Sequence, residues 1–240
     1  MGKYEFSSRV RYSECGEDGT LSLGALVDYF QDTATFHGEH LGVGISYLKE
    51  RHTAWILTSW QIITDHFPKL GEPVTVRTWP YDFHSFYGLR NLVLKDGSGR
   101  MAAWANSVWV LMDMERTRPV KVPQDLADRY GIESPLEMEY APRKVPEPED
   151  GEEMPAFPVA RMHLDTNHHV NNGRYIEMAR MYLPEQFDLY ETRVEYMAQA
   201  RLGDLICPKV SSGNGVVTVS LKNTAGKSYC VVRFASRQAD

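Results

Sequence analysis

A chain of 240 residues with 42% apolar content can bury one large core or two small ones, so disorder is not its default state. Its net charge of −6, without any Lys/Arg cluster, excludes nucleic acid as the main partner, because a phosphate backbone demands grouped cations. Three cysteines, Cys15, Cys207 and Cys230, with no CxxC spacing, point away from a disulfide framework or a thiolate zinc site and toward a reducing cytoplasm.

In chain order, the N-terminus has no apolar leader core, and no run reaches the roughly eighteen apolar residues of a membrane span. A soluble, untargeted protein is expected. Alternation from Tyr4 to Tyr12 predicts a strand, followed by a polar loop over Ser13 to Thr20. Leu23, Leu26, Val27, Phe30 and Ala34 then fall on one helical face, capped by Ser22, and the pattern fades near His37 to Gly44. Strands are expected at TAWILTSWQIIT, PVTVRTWPY, FYGLRNLVLK and MAAWANSVWVLMD, divided by turns at Leu70 to Pro73 and Asp96 to Gly99. From Val122 to Pro158, prolines and the acidic run EPEDGEE read as a linker between two compact units.

The second unit repeats the first. A shift of 149 lays Gly173 on Gly24, Glu177 on Asp28 and Val170 on Leu21. LGD at Leu202 matches LGE at Leu70, and LKNTAGK from Leu221 matches LKDGSGR from Leu94, with the shift falling to 132 and then 127 as loops shorten. The shared order of strand, loop, helix and several strands predicts a duplicated α+β unit, each half a curved antiparallel sheet wrapped around one helix.

The two loops differ chemically. The second has Asp165, Asn167 and His169 where the first has Gly16, Asp18 and Thr20. All five tryptophans, Trp55, Trp60, Trp79, Trp104 and Trp109, lie in the first half, which suggests a pocket there and reactive groups in the second. His163 to Tyr175 ends in the amphipathic pattern of a short helix that stops by Pro184, so a polar cluster sits at a helix N-terminus, a setting suited to an oxyanion. In an extended segment, alternation would turn Asp165, Asn167 and His169 to one side, where carboxylate, amide and imidazole suit hydrolysis of an activated acyl group. The plainer reading makes Asp and Asn turn and cap residues; it is preferred for Asn172 and stays open for Asn171. His163, Asp165, His168 and His169 are of metal-ligand type but lack a familiar ligand spacing. Cys207 and Cys230 fall within predicted strands, as ordinary buried residues would.

DTNHHVNNGRY, Asp165 to Tyr175, resembles the Asp-x-Asn-x-His-Val-Asn-Asn-x-x-Tyr motif of acyl-ACP thioesterases, the enzymes that end fatty-acid synthesis. The likeness extends over essentially the whole chain. It implies a tandem hotdog fold of class α+β, with an N-terminal hotdog over 1–121 holding the acyl chain, a linker over 122–158, and a C-terminal hotdog over 159–240 carrying the motif. It implies hydrolysis of fatty acyl thioesters of acyl carrier protein, with no cofactor and no metal, by a monomer or homodimer.

Carried over by position, Asp165, Asn167 and His169 are the catalytic residues. The family often has an acid, followed in plant members by Cys, shortly after a Glu-Tyr pair; here Glu195 and Tyr196 lead instead to Gln199 and Ala200. Direct hydrolysis is therefore expected, with Asp165 and His169 activating water while Asn167, Gln199 and the helix-start residues Val170 and Asn171 position it and hold the oxyanion. An acidic carrier calls for a basic docking site, for which Arg174, Arg180, Arg143 and Lys144 are candidates. An acyl-CoA thioesterase and a non-catalytic acyl-binding protein are the alternatives.

Overall fold

A computed structural model describes residues 2–237 of the chain. They divide into two compact units, Met1–Thr58 with Thr64–Tyr140, and Ser59–Ile63 with Ala141–Asp240. No helix among the described residues is long and apolar enough to cross a membrane.

In the first unit, strands β1 (Tyr4–Arg9), β3 (Pro73–His84), β4 (Tyr87–Lys95) and β5 (Met101–Asp113) pair antiparallel in that order. Strand β2 (Thr53–Thr64) neighbours β5, and the two-residue β6 (Arg118–Pro119) pairs with it. The apolar run TAWILTSWQIIT is β2 residue for residue. Helix α1 (Leu23–His40) packs on β3 and β1. Its N-cap Ser22 accepts the Ala25 N–H at 3.2 Å, and Leu23, Leu26, Val27, Phe30, Thr33 and His37 form its buried face.

Helix α1 is longer than periodicity suggested. Its last turn is carried by His37, which is buried beside Arg90, and hydrophobic patterning does not register a satisfied polar residue. Two short helices were also invisible to it, α2 (Ile45–Glu50) and α3 (Gln124–Tyr130). Leu48 of the one and Leu126, Ala127 and Tyr130 of the other pack with Val43, Leu111 and Val122. The chain from Thr64 to Tyr140 thus clusters with the first unit and that from Ala141 with the second.

In the second unit, the end of β2 pairs with β9 (Leu189–Tyr196), followed by β12 (Ser228–Ser236), β11 (Val216–Lys222) and β10 (Leu205–Gly213), all antiparallel. The short β7 (Glu152–Glu153) and β8 (Phe157–Pro158) pair with β10. Trp60 lies in the part of β2 assigned here, so the five tryptophans do not all belong to the first unit. Helix α4 (Asn172–Arg180) packs on β11 and β12 through Tyr175, Ile176, Met178 and Ala179. Glu195 is buried and anchors the incoming chain, accepting the Val145 N–H at 2.9 Å and pairing with Arg143 at 3.3 Å.

The duplication holds at the level of single hydrogen bonds. The bond from Val10 N–H to Glu72 C=O recurs from Val159 to Asp204, and that from Gly71 to Val10 recurs from Gly203 to Val159. The Asp96 side chain accepts from Ser98 and Arg100 as Asn223 does from Ala225 and Lys227. Each half lays one helix, α1 or α4, on an antiparallel sheet, the α+β hotdog arrangement occurring twice.

Candidate active site

The motif loop is built on the scaffold of its first-half counterpart. A lone antiparallel bridge joins Leu164 to Val170, as one joins Cys15 to Leu21. Asp165 N–H donates to His169 C=O at 2.8 Å, matching Gly16 to Thr20 at 2.9 Å. His168 has a φ of 61°, in the left-handed region that its counterpart Gly19 occupies at 73°. Before the loop, His163 Nδ1 accepts the Ala160 N–H at 3.0 Å, the task that Glu14 performs for Arg11. Burial, and then the Arg174 charge, hold His163 below the ordinary histidine range, in keeping with a neutral ring that accepts.

This segment is a tight turn, not an extended strand, so the alternation argument does not describe it. The Asp165 carboxylate supplies the closure: Oδ1 accepts the N–H of Asn167 at 2.8 Å and of His169 at 3.2 Å. One oxygen is thereby fixed by two backbone donors, and Oδ2 has no partner among the described residues. Asp165 and His169 are half-buried, whereas Asn167 and His168 are exposed at the tip. The backbone of the loop brings the three predicted catalytic residues together, and no hydrogen bond joins their side chains.

At the helix start, two expected roles are corrected. Val170 N–H donates to Ala200 C=O at 3.0 Å and Asn171 N–H to His163 C=O at 2.9 Å, so neither is free to hold an oxyanion. Asn171 is instead the N-cap, its Oδ1 accepting the Gly173 N–H at 2.8 Å. The cap role preferred for Asn172 thus falls to Asn171, and Asn172 is the first helical residue. Arg174 N–H is bonded to Asn171 C=O, which leaves the N–H of Asn172 as the donor at the mouth of α4.

Gln199 is exposed and lies beyond the end of β9, one residue before Ala200. Ala200 is held from both sides, its C=O by Val170 and its N–H by the hydroxyl of Tyr175 at 2.8 Å. The Tyr196 hydroxyl donates to Asn172 C=O at 2.9 Å and ties the strand end to the helix start. Neither tyrosine received a role from sequence reasoning, although Tyr175 closes the motif and Tyr196 belongs to the Glu-Tyr pair.

Among the docking candidates, Arg143 is paired with Glu195, and Arg180 lies 3.7 Å from Glu177. Lys144 is exposed on the segment held by Arg193, which donates to the Lys144 C=O at 2.9 Å. Arg174 is exposed on the first turn of α4. Two further exposed arginines flank the loop, Arg161 in the turn that enters it and Arg201 next to Ala200. Among the described residues, no three His, Cys, Asp or Glu side chains gather as a metal site would. Cys15 and Cys207 are half-buried, and burial drives the Cys230 thiol upward, away from thiolate.

Family models for the acyl-ACP thioesterase N-terminal and C-terminal domains match residues 2–130 and 147–234. Relatives include the chloroplastic oleoyl-acyl carrier protein thioesterase 1 of Arabidopsis thaliana, 26% identical over 82% of this chain and 60% of that protein. The chloroplastic palmitoyl-acyl carrier protein thioesterase of Gossypium hirsutum is 29% identical over 90% of this chain and 54% of its own. The chain thus spans about half to three fifths of the length of these curated relatives. Among solved structures, an acyl-ACP thioesterase from Bacteroides thetaiotaomicron superposes with a TM-score of 0.90 at 21% identity, covering 97% of each chain. A 12:0-ACP thioesterase from Umbellularia californica superposes at 0.83 with 17% identity, covering 97% of this chain and 96% of that one. At these identities the superpositions show the shared fold.

Proposed function

The chain belongs to the acyl-ACP thioesterase family, and on that premise we propose that it hydrolyses fatty acyl thioesters of acyl carrier protein to free fatty acid and carrier thiol, ending fatty-acid synthesis. The observation that carries the reading is the Asp165 carboxylate, one oxygen anchored by two backbone N–H groups and the other free. A group used only to shape the turn needs no second oxygen, and the first-half loop keeps its form with Gly16 at that place.

Asp165 Oδ2, with His169, takes a proton from water as the water oxygen attacks the thioester carbonyl carbon. The oxyanion is met by the side-chain amides of Asn167 and Gln199 and by the N–H of Asn172 at the positive end of α4. Collapse breaks the C–S bond, and the proton passes to the departing thiolate. Gln199 has no acid to offer and serves as a donor.

Docking of the acidic carrier falls to Arg174 with Arg161 and Arg201, which are exposed and flank the loop. Charge reversal at Arg161 and Arg201 then raises KM for the carrier thioester and leaves KM for a small thioester unchanged; equal effects on both remove them. A cytoplasmic setting is favoured by three free thiols, while the plant relatives are named as chloroplastic.

The test is hydrolysis of carrier thioesters of increasing chain length beside the same acyl groups on coenzyme A. Preferred turnover of the carrier series supports the reading. Preference for coenzyme A makes the protein an acyl-CoA thioesterase, and binding without turnover makes it an acyl-binding protein.

A further inference from the structure

The first unit buries a cation that thioester hydrolysis does not use. Arg90, on β4, is 7% exposed. Its Nη1 donates to His37 Nδ1 at 3.0 Å and to Thr78 Oγ1 at 3.1 Å, and its guanidinium lies 5.4 Å from the centre of the Tyr130 ring. His37 is neutral: burial, then the Arg90 and His40 charges, push it down to about 3. Burial lowers Arg90 only to about 10, so it is charged at neutral pH.

No carboxylate pairs with Arg90 among the described residues, and its Nε and Nη2 have no partner there. Neither nitrogen is fully closed off from solvent. A buried charge without a counter-charge is a cost to folding that an apolar side chain of similar volume would avoid. The two acceptors on Nη1 fix the plane of the guanidinium, and the free Nε–Nη2 edge is the fork that matches both oxygens of a carboxylate. Around it, Tyr4 stacks on His37 at 5.7 Å, Tyr130 meets His37 edge-on at 5.5 Å, and Phe83 packs on Tyr130 at 5.8 Å, which walls the cation with hydrocarbon.

We infer that Arg90 is the anchor of an interior binding site in the first unit for an aliphatic monocarboxylate. A thioester has no carboxylate, so the site takes free acid and rejects the esterified acyl group. Its occupancy does not depend on Asp165 or on turnover.

The test follows the Nε–H resonances of the arginines of the full chain, labelled with ¹⁵N, as decanoate is added, with decanol and inorganic phosphate as separate arms. One Nε–H, absent from R90K and R90M, moves saturably with decanoate and stays in place with decanol and phosphate. R90M, folded by circular dichroism, binds decanoate roughly 10- to 100-fold more weakly. The inference is overturned if decanoate leaves that resonance unmoved, if decanol moves it equally, if phosphate alone moves it, or if R90M binds as well as the parent. Should R90M fail to fold, the titration of the parent with R90K as the assignment control decides the matter.

Discussion

The Tyr175 hydroxyl accepts the backbone N–H of Ala200 at 2.8 Å, while the same Ala200 receives Val170 N–H on its carbonyl at 3.0 Å. One buried phenol on α4 thereby sets where the strand end carrying Gln199 meets the motif loop. Tyr175→Phe keeps the ring and leaves the Ala200 N–H unsatisfied, which costs about 1–3 kcal/mol of stability in chemical denaturation. Turnover falls as well, because Gln199 loses its anchor.

His168 occupies the left-handed conformation that Gly19 adopts in the first half. His168→Gly is expected to hold stability within about 1 kcal/mol of the parent, as release of backbone strain and added chain entropy offset each other. His168→Val should lose about 1–2 kcal/mol, because a β-branched side chain clashes there. Both are read from melting curves, and the Gly variant keeps its turnover.

His37 makes the protein acid-sensitive. Its folded value of about 3 lies below the ordinary 6.5, so the unfolded chain binds the extra proton between those limits. Stability from this group is complete above about pH 6.5 and falls as the pH drops toward 3, by at most about 1.4 kcal/mol per pH unit. His37→Gln, which still offers an acceptor to Arg90, flattens that part of the profile in denaturation measured from pH 7 to pH 4.

Direct hydrolysis calls for no thiol nucleophile: Cys230 is sealed in β12, and Ala200 beside the motif loop offers none. Alkylation of the accessible Cys15 and Cys207 leaves turnover intact, and quenched reactions examined by intact mass show no acyl adduct on the protein. An adduct would replace direct hydrolysis with a covalent route.

Much of this was legible in the residues. The strand run of β2, the face of α1 and the repeat at shifts of 149, 132 and 127 all survive, the last down to matched turns such as Gly99 and Gly226. Short helices escaped, because α3 has few apolar residues set among prolines and is defined by what Leu126 and Tyr130 pack against. The site was legible as a place rather than as a geometry. Spacing alone could not reveal that Asp165 bends its own loop, nor that the N–H groups of Val170 and Asn171 are claimed by carbonyls elsewhere in the unit. Arg90 was silent for the same reason, since a burial partner is a tertiary fact.

The most direct test of the account is Asp165→Asn, assayed on an acyl-carrier thioester. Asn keeps an oxygen to accept the N–H groups of Asn167 and His169, so the loop and the melting temperature are preserved while the base is lost. The account predicts a fall in kcat of roughly 10²–10⁴-fold, far beyond that of Gln199→Ala. A folded Asp165→Asn protein that turns over within tenfold of the parent, or that loses no more than Gln199→Ala, would contradict it and leave Asp165 as a turn residue.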